Sequence, residues 1–81
     1  MQKQVEQIER ELIDRIYKLF LVKYNGNNSA FAKVSQCTET TVRRLFNYKQ
    51  GITVNLLLRI AYALDVSVND LLDGFVIKKE S

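Results

Sequence analysis

The stretch NSAFAKVSQCTETTVRRLFN, residues 28–47, decides how the chain folds. At helical periodicity it splits into two short helices around a tight turn. The first is expected over about residues 29–35, capped by Asn27 or Asn28. Its inward face is read as Ala30 or Phe31 with Val34, and Ala32 is small enough to let another helix approach closely. Ser35-Gln36-Cys37 is the turn. Thr38 then supplies an N-cap, and Glu39 follows in the first turn, where the helix dipole favours an acid. This predicts a second helix over residues 39–46 that buries Val42, Leu45 and Phe46. The opposite face carries Glu39, Thr40 and Arg43, flanked by Thr41 and Arg44.

Working outward, residues 2–24 place Val5, Ile8, Leu12, Ile13, Ile16, Tyr17, Leu19 and Phe20 at three- and four-residue steps, as one long helix requires. Glu6–Arg10 and Glu11–Arg15 are i,i+4 pairs in the favourable order. The helix is expected to end at Asn25-Gly26. After a loop over residues 47–52, Thr53 caps a helix expected over 54–64. That helix is apolar almost all round, so it is either the central core helix or also faces a partner. Ser67-Val68-Asn69-Asp70 has the form of a capping box with Asp in the acidic place. A fifth helix over 68–73 is stopped by Gly74, and Phe75-Val76-Ile77 forms a short strand-like run.

Composition narrows the class. Eighty-one residues make one domain, 1–81, and the absence of Pro with only three Gly favours helices over a turn-rich β architecture. One Cys and no His leave no internal disulfide and no ordinary zinc set, so no metal and no cofactor is expected. Cys37 is read as a core residue. A Ser-His or Cys-His pair and a Gly-rich phosphate loop are both missing, which argues against an enzyme. No apolar run approaches the roughly 20 residues of a membrane span, and Glu6, Glu9, Glu11 and Asp14 interrupt any signal peptide, so a cytoplasmic, reducing location is expected. The net charge of +3 is unevenly spread. Residues 29–59 carry Lys33, Arg43, Arg44, Lys49 and Arg59 against Glu39 alone, whereas 60–77 carry only Asp65, Asp70 and Asp73. A basic footprint on one region is what a polyanionic partner requires.

Four fragments in order carry a resemblance: residues 28–33, Thr38-Glu39-Thr40-Thr41-Val42, Leu45-Phe46-Asn47, and the run LLRIAYALDVSVNDLL over 57–72. Together they resemble the helix-turn-helix family of phage repressors and Cro proteins, the Xre-type regulators, over about residues 17–72. The resemblance implies an all-α, five-helix lambda repressor-like DNA-binding domain, here with an extended N-terminal helix and a short, strand-like C-terminal tail. The helix-turn-helix unit falls at about 28–47. Three positions depart from the family pattern: Gln36 and Tyr48 stand where Gly is usual, and Ile52 where Pro is usual.

On that resemblance the partner is a double-stranded DNA operator, with no membrane and no small-molecule ligand evident. A helix that enters the major groove must expose its N-terminal turns and hide one stripe, and residues 39–46 meet that condition. Glu39, Thr40, Arg43 and Arg44 are the candidate base contacts. Asn28, Ser29, Thr38, Thr41, Asn47, Tyr48 and Lys49 are the candidate backbone contacts, Lys49 being the strongest electrostatic one. A homodimer is expected, through helix five and the tail, with Leu71, Phe75, Val76 and Ile77 as the candidate contact residues, or else through Val5, Ile8 and Leu12 of the N-terminal helix. The expected function is a sequence-specific transcriptional regulator, a repressor or small Cro-like switch. The alternative is a protein-interaction module, such as an antitoxin, that uses the same face on a protein partner.

Overall fold

A computed structural model describes residues 2–76 and contains five helices: α1 (Gln2–Tyr24), α2 (Asn28–Val34), α3 (Glu39–Phe46), α4 (Val54–Leu64) and α5 (Val68–Leu72). Among the described residues there is no strand. Phe75 and Val76, read from sequence as strand-like, are irregular, and Ile77 lies outside the described residues.

The spine is α1, which packs on each of the other four helices. It buries Leu12, Ile13, Ile16 and Phe20, one stripe at helical spacing. Its length gives the molecule its long axis, 45 Å against 23 and 20 Å. Against the stripe pack Phe31 and Ala32 of α2, Val42 and Leu45 of α3, Leu56, Leu57, Ile60, Ala61, Ala63 and Leu64 of α4, and Leu71 of α5. At the centre Phe20 meets Phe31 at 5.1 Å and Phe46 at 5.0 Å, centroid to centroid, with Tyr17 edge-on to Phe46 at 5.0 Å. Such ring pairs each contribute about 0.5–1.5 kcal/mol beyond burial, so this cluster ties α1, α2 and α3 together.

Each start from α2 onward is capped by a short polar side chain. Asn27, Thr38, Thr53 and Ser67 accept from the backbone N–H of Ala30, Thr41, Leu56 and Asp70, respectively. The capping box of α5 is complete, because Asp70 also accepts from the Ser67 N–H. The corners between helices all use the left-handed region. Asn25, Gln36, Tyr48 and Asp65 have φ of 52°, 57°, 58° and 58°. For a side-chain-bearing residue this costs roughly 1–2 kcal/mol unless neighbours enforce it, and two of the four are the positions where the family pattern has Gly.

Several expectations need correction. Val34 is not inward; Phe31 and Ala32 take the buried face, Ser35 is fully buried behind them with its hydroxyl donating to the Phe31 carbonyl at 2.6 Å, and Val34 is left 39% exposed. The first helix of the pair therefore spans Asn28–Val34, and Ser35 is its C-cap. Cys37 and Phe46 are packed against the core but only partly buried. The fifth helix stops at Leu72, with Asp73 as its C-cap. Arg10 and Arg15, read as partners of acids one turn earlier on α1, reach other elements. Arg15 donates through Nη1 to the carbonyls of Leu71 and Asp73, both at 2.8 Å, and lies 4.3 Å over the Phe75 ring.

Candidate nucleic-acid interface

α2 and α3 pack directly on each other, and the turn between them is closed by backbone bonds from Gln36 N–H to the Lys33 carbonyl at 3.3 Å and from Cys37 N–H to the Ala32 carbonyl at 2.9 Å. Gln36 takes positive φ there in place of a glycine. What holds it is Arg59 of α4, whose Nη1 donates to the Gln36 carbonyl at 2.5 Å. This support is not legible in the sequence, because the two residues are far apart in the chain and an arginine in an apolar helix reads as a surface charge.

With Val42 and Leu45 locked in the core, the other face of α3 is forced outward. Glu39, Thr40, Arg43 and Arg44 are all exposed, as the periodicity predicted. The two arginines are not equivalent. Arg43 donates through Nη2 to Glu39 Oε1 at 2.9 Å, one turn back on the same face. Its guanidinium is thereby held along the N-terminal half of α3. Arg44 folds the other way and donates to the Lys49 carbonyl at 3.3 Å, beside the loop. Thr38 and Thr41 share a bond of 3.0 Å between hydroxyls in addition to the cap, so the first turn presents two ordered hydroxyls beside the exposed Thr40.

The loop after α3 is fastened from behind by the N-terminal half of α1. Tyr48 donates its hydroxyl hydrogen to Asp14, and Arg10 lies over its ring at 4.6 Å. Glu9 accepts from the Ile52 N–H at 3.1 Å. The Asp14 carboxylate raises the Tyr48 phenol pKa above its ordinary value, first through this hydrogen bond. Asn47 is the C-cap of α3 and donates to the Arg43 carbonyl at 2.9 Å. Lys49 is exposed on the loop. Glu9, Arg10, Asp14 and Arg59 are thus the supporting residues that sequence reading missed. Only the excess length of α1 pointed toward any of them.

These parts form one unit: two helices at a rigid turn, an outward second helix with a positioned arginine, and a braced loop beyond it. The model of the Cro/C1-type HTH DNA-binding domain family matches residues 15–74. The chain belongs to that family. Searches of curated proteins and of solved structures each found no match.

In this Cro/C1-type domain the expected backbone anchors are placed in two groups. Asn28 is the half-buried first residue of α2, with Ser29 exposed after it. Asn47, Tyr48 and Lys49 stand at the other end of the unit. The Tyr48 hydroxyl is engaged with Asp14, which leaves Lys49 as the loop's open cation. The dimer expectation changes most. Leu71 is fully buried in the protomer, so it has no surface to offer a second chain. Phe75 is half-buried under Arg15, and of the candidates among the described residues only Val76 is widely exposed, at 75%. No group of His, Cys, Asp or Glu among the described residues could hold a metal ion, and no described helix is long and apolar enough to cross a membrane.

Proposed function

We propose that this Cro/C1-type domain is a transcriptional repressor that binds a two-fold operator as a homodimer, with α3 in the major groove. Arg43 is assigned to direct readout of a guanine, for which the fork of a guanidinium is suited. Glu39 orients it, and either Glu39 or Thr40 contacts the neighbouring base. Arg44 flanks the groove and stiffens the loop. Ser29 and the α2 start, Thr38 and Thr41 at the α3 start, and Asn47 with Lys49 beyond its end are assigned to phosphates on either side. The observation that carries this reading is the exposed Arg43–Glu39 pair on the outer face of a helix whose other face is immobilised in the core.

The test is selection from random duplex DNA, followed by affinity against salt. Log affinity should fall linearly with log salt, as release of counterions from contacted phosphates demands. Arg43→Ala should relax selectivity at one base pair by about 1–3 kcal/mol, whereas Lys49→Ala should weaken all sequences alike. No selected sequence and a flat salt response would sink the reading in favour of a protein-binding module.

A further inference from the structure

We infer that the outward face of α4 pairs two copies of this chain, antiparallel, about a two-fold axis at Leu58. The inference rests on the dimeric reading above and assigns it a surface.

Val54, Leu58 and Tyr62 follow one another at four-residue steps, so they line one side of α4. They are 76%, 56% and 77% exposed, although the opposite side of the same helix supplies six buried core residues. Arg59 is the single charged side chain in the helix, and it is turned to the Gln36 carbonyl. The stripe is therefore a charge-free apolar ridge. Val34, left half-exposed by α2, extends it sideways. Together these four side chains leave roughly 400 Å² of apolar surface open, as large as the biggest patch of a typical monomer. Two such patches with their polar rims reach the roughly 1,000 Å² of a small but specific interface.

The shape argues for a second copy as the occupant. An isologous contact needs a self-complementary surface, so that whatever residue j meets, residue k meets in return. Leu58 lies midway between Val54 and Tyr62, so antiparallel helices crossing at Leu58 set Val54 of each on Tyr62 of the other. A hollow of about 250 Å³ lined by Val34, Gln36, Leu58, Arg59 and Tyr62 lies beside the ridge at its Tyr62 end, where this register brings the other copy's Val54. Charge agrees with this polarity. The first turn of α4 holds no acid, while Asp65 closes its other end, its side chain 90% exposed and in an open ion pair with Lys23 at 4.0 Å. Antiparallel pairing brings Asp65 of one copy toward the positive, N-terminal end of the other α4. Two other described apolar side chains are as exposed: Val22, at 81%, sits on α1 beside Lys18 and Lys23, and Val76, at 75%, lies in the irregular segment after α5.

Sedimentation equilibrium of the full chain tests this. The wild type should dimerise at micromolar concentration. Leu58→Asp and Tyr62→Asp should each weaken the dimer by roughly 100-fold or more while leaving the circular dichroism melt in place, because both side chains are exposed in the protomer. Val22→Asp should not change it. The register has its own test: Val54→Asp alone should dissociate the dimer, and Val54→Asp with Tyr62→Lys in one chain should restore it through two symmetric ion pairs. A wild type monomeric at hundreds of micromolar, or a dimer indifferent to Leu58→Asp, overturns the pairing. Binding of the Leu58→Asp protein to a single DNA half-site is read separately. If half-site binding persists with an unaltered dimer, only the pairing fails; if the dimer dissociates as expected but no DNA is bound, the pairing stands and the DNA reading fails.

Discussion

Glu39→Gln separates what the reading helix needs for its own stability from what it needs for selectivity. The Arg43–Glu39 pair is open to water, with side chains 59% and 45% exposed, so at i,i+4 spacing it contributes only about 0.3–0.5 kcal/mol to folding. Removing the acid from the first turn also forfeits a dipole interaction of about 0.3–1 kcal/mol. The expected loss of stability is therefore about 0.6–1.5 kcal/mol, a fall in Tm of roughly 3–10 °C for a domain of this size. The expected effect on recognition is larger. Without the carboxylate, Arg43 must be ordered during binding, and a bidentate guanine contact is worth about 1–3 kcal/mol of discrimination. Deleting one of nine acids also takes the net charge from +3 to +4, which strengthens binding to every sequence. The gap between specific and non-specific affinity should thus narrow from both sides. Fluorescence anisotropy on the selected site and its single-base variants measures that gap, for Glu39→Gln, Arg43→Ala and the double variant. The reasoning is refuted if discrimination is unchanged in Glu39→Gln, or if the two single costs add within about 0.3–0.5 kcal/mol, since residues that act through one contact do not add.

Three further outcomes follow from local geometry. Thr38→Ala removes the α3 cap and the Thr41 hydroxyl's partner, and should cost about 0.5–2 kcal/mol by calorimetry, with Thr38→Ser retaining most of it. Gln36→Gly releases left-handed strain of about 1–2 kcal/mol against about 0.4–1 kcal/mol of added chain entropy, so its urea midpoint should equal or exceed the wild type's, whereas the β-branched Gln36→Val should fall clearly below it. Because Asp14 raises the Tyr48 pKa above 10.0, the stabilisation from this bond is fully present below pH 10 and is lost as pH rises through the folded-state value. The advantage of wild type over Tyr48→Phe in melting temperature should accordingly hold from neutral pH to about pH 10 and shrink above it.

What was legible in the sequence was local. Spacing alone placed α1 over Gln2–Tyr24 and α3 over Glu39–Phe46, and the caps Thr38, Thr53 and Ser67 were readable because capping needs only a few adjacent residues. The outward face of α3 followed from Val42 and Leu45. What was illegible was long-range. Val34 was misplaced because a seven-residue helix shows too few turns to fix its inward side, and the buried Ser35 took space that an apolar residue would claim on hydropathy. Leu71 was read as surplus because the sequence does not reveal that α1 covers it. The braces Arg59, Glu9, Arg10 and Asp14 join residues 23 to 43 positions apart, and no pattern of spacing reports such pairs.

The spine described above has a consequence for how the protein is made. A single helix of this length is marginal in water until something covers its apolar stripe. Its farthest partners come late: Leu71 and Asp73, which accept from Arg15, lie 56 and 58 residues downstream. At ribosomal rates of roughly 5–20 residues per second, about 3–12 seconds separate their synthesis. Helices and loops equilibrate in microseconds, so for all of that interval the nascent chain samples α1 with the α5 part of its cover missing. The α2–α3 unit and its following loop are translated in the middle of this wait and are braced from both sides in sequence, by Arg10 and Asp14 before and Arg59 after. A ribosome stalled between Phe46 and Leu64 would hold a chain with α2 and α3 fully synthesised and the elements that brace them incomplete.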